Sequence, residues 1–181
     1  MKKQLLLIAT LGHPGSGKTY FSERLAKEYN LVHLSRDKFR QEAIHNPTYE
    51  ENEQIAISRA INWLTTEFLS KGVGVINDGN YTKKKYRSKL SKIAKKYNAV
   101  YVLIHIITPI ETAKKRVIKR RDITSKEKRK YYRPIDTSLI DFIINDTEYP
   151  TKSEPIIEID GSKSFQAQFE MFKKGLKKYL K

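Results

Sequence analysis

The stretch Gly12-His13-Pro14-Gly15-Ser16-Gly17-Lys18-Thr19 decides the reading of this chain. It follows residues 4–11, a short apolar run with the character of a buried strand. It precedes Lys18–Tyr29, where Phe21, Leu25 and Ala26 share one helical face that Asn30 ends. Every position of G-x-x-x-x-G-K-[ST] is matched, in the strand–turn–helix context that gives the pattern its meaning. Glycines let the backbone turn tightly enough for several N–H groups to point at one phosphate, and the helix that begins at Lys18 adds its positive end. The Lys18 ammonium can reach β- and γ-phosphates, and the Thr19 hydroxyl can ligate Mg²⁺. Gly12, His13, Pro14, Gly15, Ser16, Gly17, Lys18 and Thr19 are therefore the expected nucleotide-phosphate site. His13 occupies a variable position of the motif, where a spacing role is expected. His33, His45 and His105 are scattered, and packing is the expected role for each.

Outward from this loop, apolar runs and amphipathic segments alternate. Strands are expected over residues 31–35, 73–77, 99–107 and 156–159, and helices over 37–45, 49–70, 82–97 (capped by Thr82), 109–121, 134–147 and 164–181. This alternation predicts an α/β/α three-layer domain on a five-stranded parallel sheet, with residues 1–181 as one unit. In such sheets ligands bind beyond the carboxyl ends of the strands. After the second strand stand Asp37 and Arg40, three apart and on one helical face. The carboxylate could take a proton from an attacking hydroxyl and the guanidinium could clamp an acceptor phosphate. The same spacing equally fits an N-cap Asp with a surface ion pair. After the third strand come Asp78, Gly79 and Asn80. Asp78 is placed to hold Mg²⁺ or its water, or to close a strand-ending turn, and Asn80 is a polar neighbour. Arg116 and Arg120 are four apart at the end of the fifth helix, placed either to close over transferred phosphate or to form a solvated basic face. A small basic lid is expected at about residues 120–134.

The chain has 181 residues, a net charge of +16 and no cysteine. Disulfides, thiolate metal sites and cysteine nucleophiles are excluded. No window approaches the ~18 apolar residues of a membrane span, and no cleavage site follows the first apolar run, so a cytoplasmic location without a membrane or an obligate protein partner is expected. The basic residues cluster. Residues 83–96 hold eight and no acid, residues 114–133 hold eleven against Asp122 and Glu127, and residues 173–181 hold five. Such patches attract polyanions. They equally fit a Lys-rich composition with a solvated face.

With these motifs in order, the chain resembles a P-loop NTPase of the AAA-type kinase group, adenylate-kinase-like in architecture. Within that group it is similar to the kinase domain of phage-type polynucleotide 5′-hydroxyl kinase. The residues that carry the resemblance are Gly12–Thr19, residues 34–41 (Leu-Ser-Arg-Asp-Lys-Phe-Arg-Gln), residues 77–80 (Asn-Asp-Gly-Asn) and residues 115–120 (Lys-Arg-Val-Ile-Lys-Arg). The resemblance implies ATP and Mg²⁺ as cofactors, Asp37 as general base, Arg40 as acceptor-phosphate ligand, Arg120 as lid arginine, and Asp78 as an acid that orients the site. The lid segment 122–133 is unlike the family's usual sequence. The resulting expectation is transfer of the γ-phosphate of ATP to an acceptor hydroxyl, with the 5′-hydroxyl of a single-stranded nucleic acid first among acceptors. A small-molecule kinase acting on a sugar, nucleoside, antibiotic or nucleotide sugar is the alternative. A nucleotide-gated binding module is a third possibility, one that leaves Asp37 and Arg40 idle.

Overall fold

A computed structural model describes residues 4–121 and 137–180; the expected lid falls outside the described residues beyond residue 121. Five strands, β1 (Leu6–Leu11), β2 (Val32–Ser35), β3 (Val75–Asp78), β4 (Val100–Ile107) and β5 (Ile156–Asp160), form one sheet in the order β2-β3-β1-β4-β5. All its pairings are parallel. Between and after them run α1 (Lys18–Tyr29), α2 (Arg36–Ala43), α3 (Glu51–Ser70), α4 (Lys84–Lys96), α5 (Ile110–Arg121), α6 (Ser138–Asp146) and α7 (Phe165–Leu176). None of the described helices is long and apolar enough to cross a membrane.

Strand side chains alternate between faces, and that alternation sorts the core. Leu6, Ile8, Ile76, Val102 and Ile104 pack with Phe21 and Leu25 of α1 and Phe172 and Leu176 of α7. Leu7, Ala9, Leu11, Val75 and Leu103 pack with Leu69 of α3 and Leu90 and Ala94 of α4. β1 is buried at every residue, as a central parallel strand must be. Phe21 meets Phe172 edge-on, with ring centroids 6.2 Å apart. Each of these fully buried aromatic side chains stabilises the fold by roughly 1.5–3 kcal/mol. The sheet order carries the chain outward from β1 to the β2 edge and back through β3 before it crosses to β4. The loop after central β1 therefore lies at the topological switch point, where an open α/β sheet leaves a crevice.

Element boundaries differ from the sequence expectation where local chemistry intervenes. α2 begins at Arg36 because Ser35 is its N-cap, its Oγ accepting from the Lys38 N–H at 3.3 Å. β3 starts only at Val75. A side chain at Gly74 would lie 2.7 Å from Leu31 Cδ2, so the chain closes on its neighbour there before the strand begins. Thr82 does not cap α4; the Glu148 carboxylate, reaching in from beyond α6, accepts the Lys84 N–H at 2.9 Å. A carboxylate is the stronger partner at a positive helix end.

Candidate active site

The turn 12–17 is built as its glycines require. Gly12, Gly15 and Gly17 have φ of 148°, 80° and 103°, and Gly17 is the N-cap of α1. A side chain at Gly15 would sit 2.5 Å from the Ala113 carbonyl of α5, so the loop rests directly on that helix. Lys18 folds back along the turn, its ammonium donating to the carbonyls of Gly12 at 2.6 Å and His13 at 3.1 Å. A cation is thus held within the loop at the positive end of α1.

Residues outside the motif brace it from beneath. Thr108, which follows β4, donates its hydroxyl to the Ser16 carbonyl at 2.9 Å. Its own carbonyl accepts from His13 Nε2 at 3.0 Å. His13 is therefore a tie between the loop and the β4–α5 junction, more than the spacer the motif suggests. Arg116 Nη1 donates to the carbonyls of Gly15 at 3.3 Å and Gly161 at 3.0 Å. Arg116 reaches the phosphate loop and braces its backbone, neither closing over a phosphate nor standing on a solvated face. Arg120 lies in the last turn of α5, and its side chain is outside the described residues.

At the carboxyl end of β3, Asp78 is buried. It shares strand parity with Ile76, so it sits on the sheet face covered by α1. His33 of β2 donates from Nε2 to Asp78 Oδ2 at 3.2 Å. Sequence reading gave His33 a packing role; nothing local announces a pairing between residues 45 apart. The loop beyond Asp78 is pinned by Thr10 of β1, whose hydroxyl accepts the Gly79 N–H at 3.1 Å and donates to the Gly79 carbonyl at 2.8 Å. Asn80 follows, with its Oδ1 buried and without a hydrogen-bond partner among the described residues. An orphaned buried oxygen of this kind needs a ligand, an ion or a water to account for it.

Asp37 and Arg40 separate in role. With Ser35 as the cap, Asp37 has no capping duty, and its side chain is 73% exposed beside the carboxyl edge of the sheet. Arg40 is 3% exposed. Its Nε lies 2.8 Å from Glu53 Oε1, its Nη2 donates to Gln54 Oε1 at 2.6 Å, and its guanidinium stacks over Tyr49. The contact with Asp37 is the longest of these, at 3.4 Å. Arg40 therefore locks α2 to α3, buried among protein partners. Arg36, which sequence reading passed over, donates to Gln54 Oε1 at 3.1 Å. Tyr81 is buried beside it, its hydroxyl pKa pushed up to about 12 by burial.

A family model of the AAA domain matches residues 7–133, a span that holds the phosphate loop and every side chain just described as part of the site. The chain belongs to the AAA domain family. The five-stranded parallel sheet with its phosphate loop has the P-loop kinase-like fold, and solved structures repeat it. A sugar kinase from Janibacter sp. HTCC2649 is 18% identical at a TM-score of 0.69, with 96% of this chain and 93% of that one covered. A gluconokinase from Sinorhizobium meliloti 1021 is 16% identical at 0.68, covering 98% and 94%. Kti12 from Chaetomium thermophilum, solved with ADP-AlF3, is 22% identical at 0.69, covering 97% and 100%. At these identities the likeness is one of fold.

Proposed function

We propose that this AAA domain is an ATP-dependent phosphotransferase whose acceptor is the hydroxyl of a small molecule. The observation that carries the reading is the placement, at one edge of the sheet, of a cation-bearing phosphate loop after β1 and an exposed carboxylate after β2, Asp37, whose contact with Arg40 is a long one at 3.4 Å. A gated binding module would have no use for that carboxylate. The acceptor oxygen attacks the γ-phosphorus as the bond to the β–γ bridging oxygen breaks. ADP leaves, and the hydroxyl proton passes to Asp37. Lys18 and the loop N–H groups bear the charge on the phosphates. Mg²⁺ fits the oxygen donors present: the Thr19 hydroxyl, Asp78, and the orphaned Asn80 Oδ1 that could hold one of its waters. When bound, it would neutralise phosphate charge. His33 holds Asp78 in place. Arg120 remains the candidate lid cation.

The small-molecule acceptor is favoured over a nucleic-acid 5′-hydroxyl on two grounds. Sugar kinase and gluconokinase structures share the fold over nearly the whole chain. Arg40, the residue on which recognition of an acceptor phosphate by the polynucleotide kinase pattern would rest, is buried and paired with Glu53. The test uses γ-labelled ATP, Mg²⁺ and a panel of sugars, sugar acids and nucleosides beside a 5′-hydroxyl oligonucleotide. Label is expected on a small molecule. Lys18→Ala is expected to abolish transfer, and Asp37→Asn to keep ATP binding while transfer falls by about 10²–10⁴-fold. Label on the oligonucleotide alone would overturn the acceptor. ATP binding without any labelled product would overturn the kinase.

A further inference from the structure

A cleft on the α3–α4 side of Asp37 holds an unbalanced charge. It is lined by Arg36, Ser58, Asn62, Tyr81 and Tyr86, contributed by α2, α3, the β3–α4 loop and α4. Among the described residues Arg36 has no carboxylate within ion-pair distance; its hydrogen bond is to the neutral amide of Gln54. That same amide oxygen also serves Arg40, so two guanidinium groups converge on one acceptor. Arg40 has Glu53 to balance it. Among the described residues Arg36 has no such ion pair, and burial holds its pKa below the usual arginine range, with Tyr81, Asp37 and Tyr86 opposing that shift and Arg40 adding to it. A mostly buried cation without a counter-ion is costly unless a partner arrives from outside. The side chain is also aimed deliberately. Its stem crosses Gly79, where a Cβ would lie 2.9 Å from Arg36 Cδ, so the residue after Asp78 must be small for Arg36 to reach the cleft.

Resting on the kinase reading above, we infer that this cleft is an anion subsite for the acceptor, which is therefore a small hydroxylated molecule carrying a carboxylate or phosphate group. The guanidinium takes two oxygens of the anion through its planar fork. Ser58, Asn62 and the tyrosine hydroxyls supply neutral partners around it. In this structure the cleft has room for about one water molecule. One oxygen of the anionic group takes the place of that water, a second meets the guanidinium at the mouth of the cleft, and the rest of the acceptor lies outside, its hydroxyl toward Asp37.

The experiment measures equilibrium binding by calorimetry, with a non-hydrolysable ATP analogue present, for three probes of one scaffold: glucose, gluconate and glucose 6-phosphate. Transfer from ATP is measured in parallel on the same three. At least one anionic probe is expected to bind while neutral glucose does not, and the choice between gluconate and glucose 6-phosphate identifies the anion. Arg36→Gln is expected to weaken that binding by about 10–100-fold, the effect of losing a charge-assisted hydrogen bond, with affinity for the ATP analogue unchanged. Arg36→Lys, which keeps the charge and loses the fork, is expected to fall between. Should Arg36→Gln fail to fold, Arg36→Lys and Asn62→Ala read the same cleft. Binding of neither anion, or glucose binding as tightly as both, overturns the subsite. So does an Arg36→Gln loss that falls equally on the ATP analogue. Anion binding that depends on Arg36 without phosphorylation keeps the subsite and sinks the kinase. Transfer to glucose undiminished in Arg36→Gln does the reverse.

Discussion

Arg87 is one of the largest fully buried side chains in the protein. Its Nε lies 2.7 Å from Glu154 Oε2 and its Nη2 donates to Oε1 at 3.0 Å. Nη1 donates to the carbonyls of Tyr81 and Thr82 at 3.0 and 2.9 Å. Four of its five N–H groups are used, so this basic residue, one of the eight in the 83–96 cluster, is a pin between α4 and the segment before β5. Removing one partner of a buried pair costs about 3–5 kcal/mol. Arg87→Leu is therefore expected to lower Tm by roughly 6–20 °C at this chain length, read by circular dichroism melting. The hydrogen bond from Arg87 holds the Glu154 pKa below the usual carboxylate range. The unfolded chain then binds the extra proton first, and stability rises with pH across that interval. The contribution is full above the ordinary carboxylate pKa of about 4.3 and is lost as pH falls through the lowered folded value. Glu154→Gln is expected to remove that component of the acid slope. An unchanged slope would show that the pair does not carry it.

At the scale of elements, the phosphate loop is as much a joint as a binding turn. α5 supports it through the backbone of Ala113 under Gly15 and through Arg116 on the Gly15 carbonyl. Gly15→Ala would combine a positive φ with a 2.5 Å approach to backbone that has no room to move. It is expected to lower stability by about 1–3 kcal/mol and to weaken ATP binding, both measurable by thermal melting with and without nucleotide. Gly17→Ala, whose Cβ meets nothing nearer than Arg116 Nη1 at 3.8 Å, is expected to cost less. If the two variants melted alike, α5 would not be the support. The loop and the strand–helix alternation were legible in the sequence because each is contiguous: eight residues state the turn, and apolar periodicity states the elements. The position of Asp78 at the end of β3 was legible because it is a local fact. The burial of Arg40 was not legible because its partner Glu53 stands on another helix, and sequence spacing shows Asp37 alone. His33, Thr108 and Arg36 were missed because their meaning lies wholly in tertiary neighbours, Asp78 across the sheet, the loop carbonyl across the crevice, and the cleft across Gly79.

For the molecule as a whole, the net charge of +16 has to be placed. Several of the cations are balanced by carboxylates. Arg87 pairs with Glu154, Arg40 with Glu53, and Lys83 with Asp146. Among the described residues, two trios of exposed lysines stand on helices on opposite faces of the sheet. Lys89, Lys92 and Lys96 on α4 and Lys174, Lys177 and Lys178 at the end of α7 are all exposed. A dedicated nucleic-acid surface gathers cations on one face, whereas charge on two opposed faces gives diffuse, salt-steep attraction. Converting either trio to Gln is therefore expected to weaken single-stranded oligonucleotide binding by similar amounts. Each lost phosphate contact should lower the slope of log K against log salt by about 0.7. Neither trio is expected to alter transfer to a small acceptor, since neither lies in the candidate site. Fluorescence anisotropy at two or more salt concentrations, beside the labelled-ATP assay, makes the comparison. A loss confined to the α4 trio would mean that this helix, which starts just beyond the Asp78 loop, guides a polyanion toward Asp37. The oligonucleotide acceptor would then regain the ground that the burial of Arg40 takes from it.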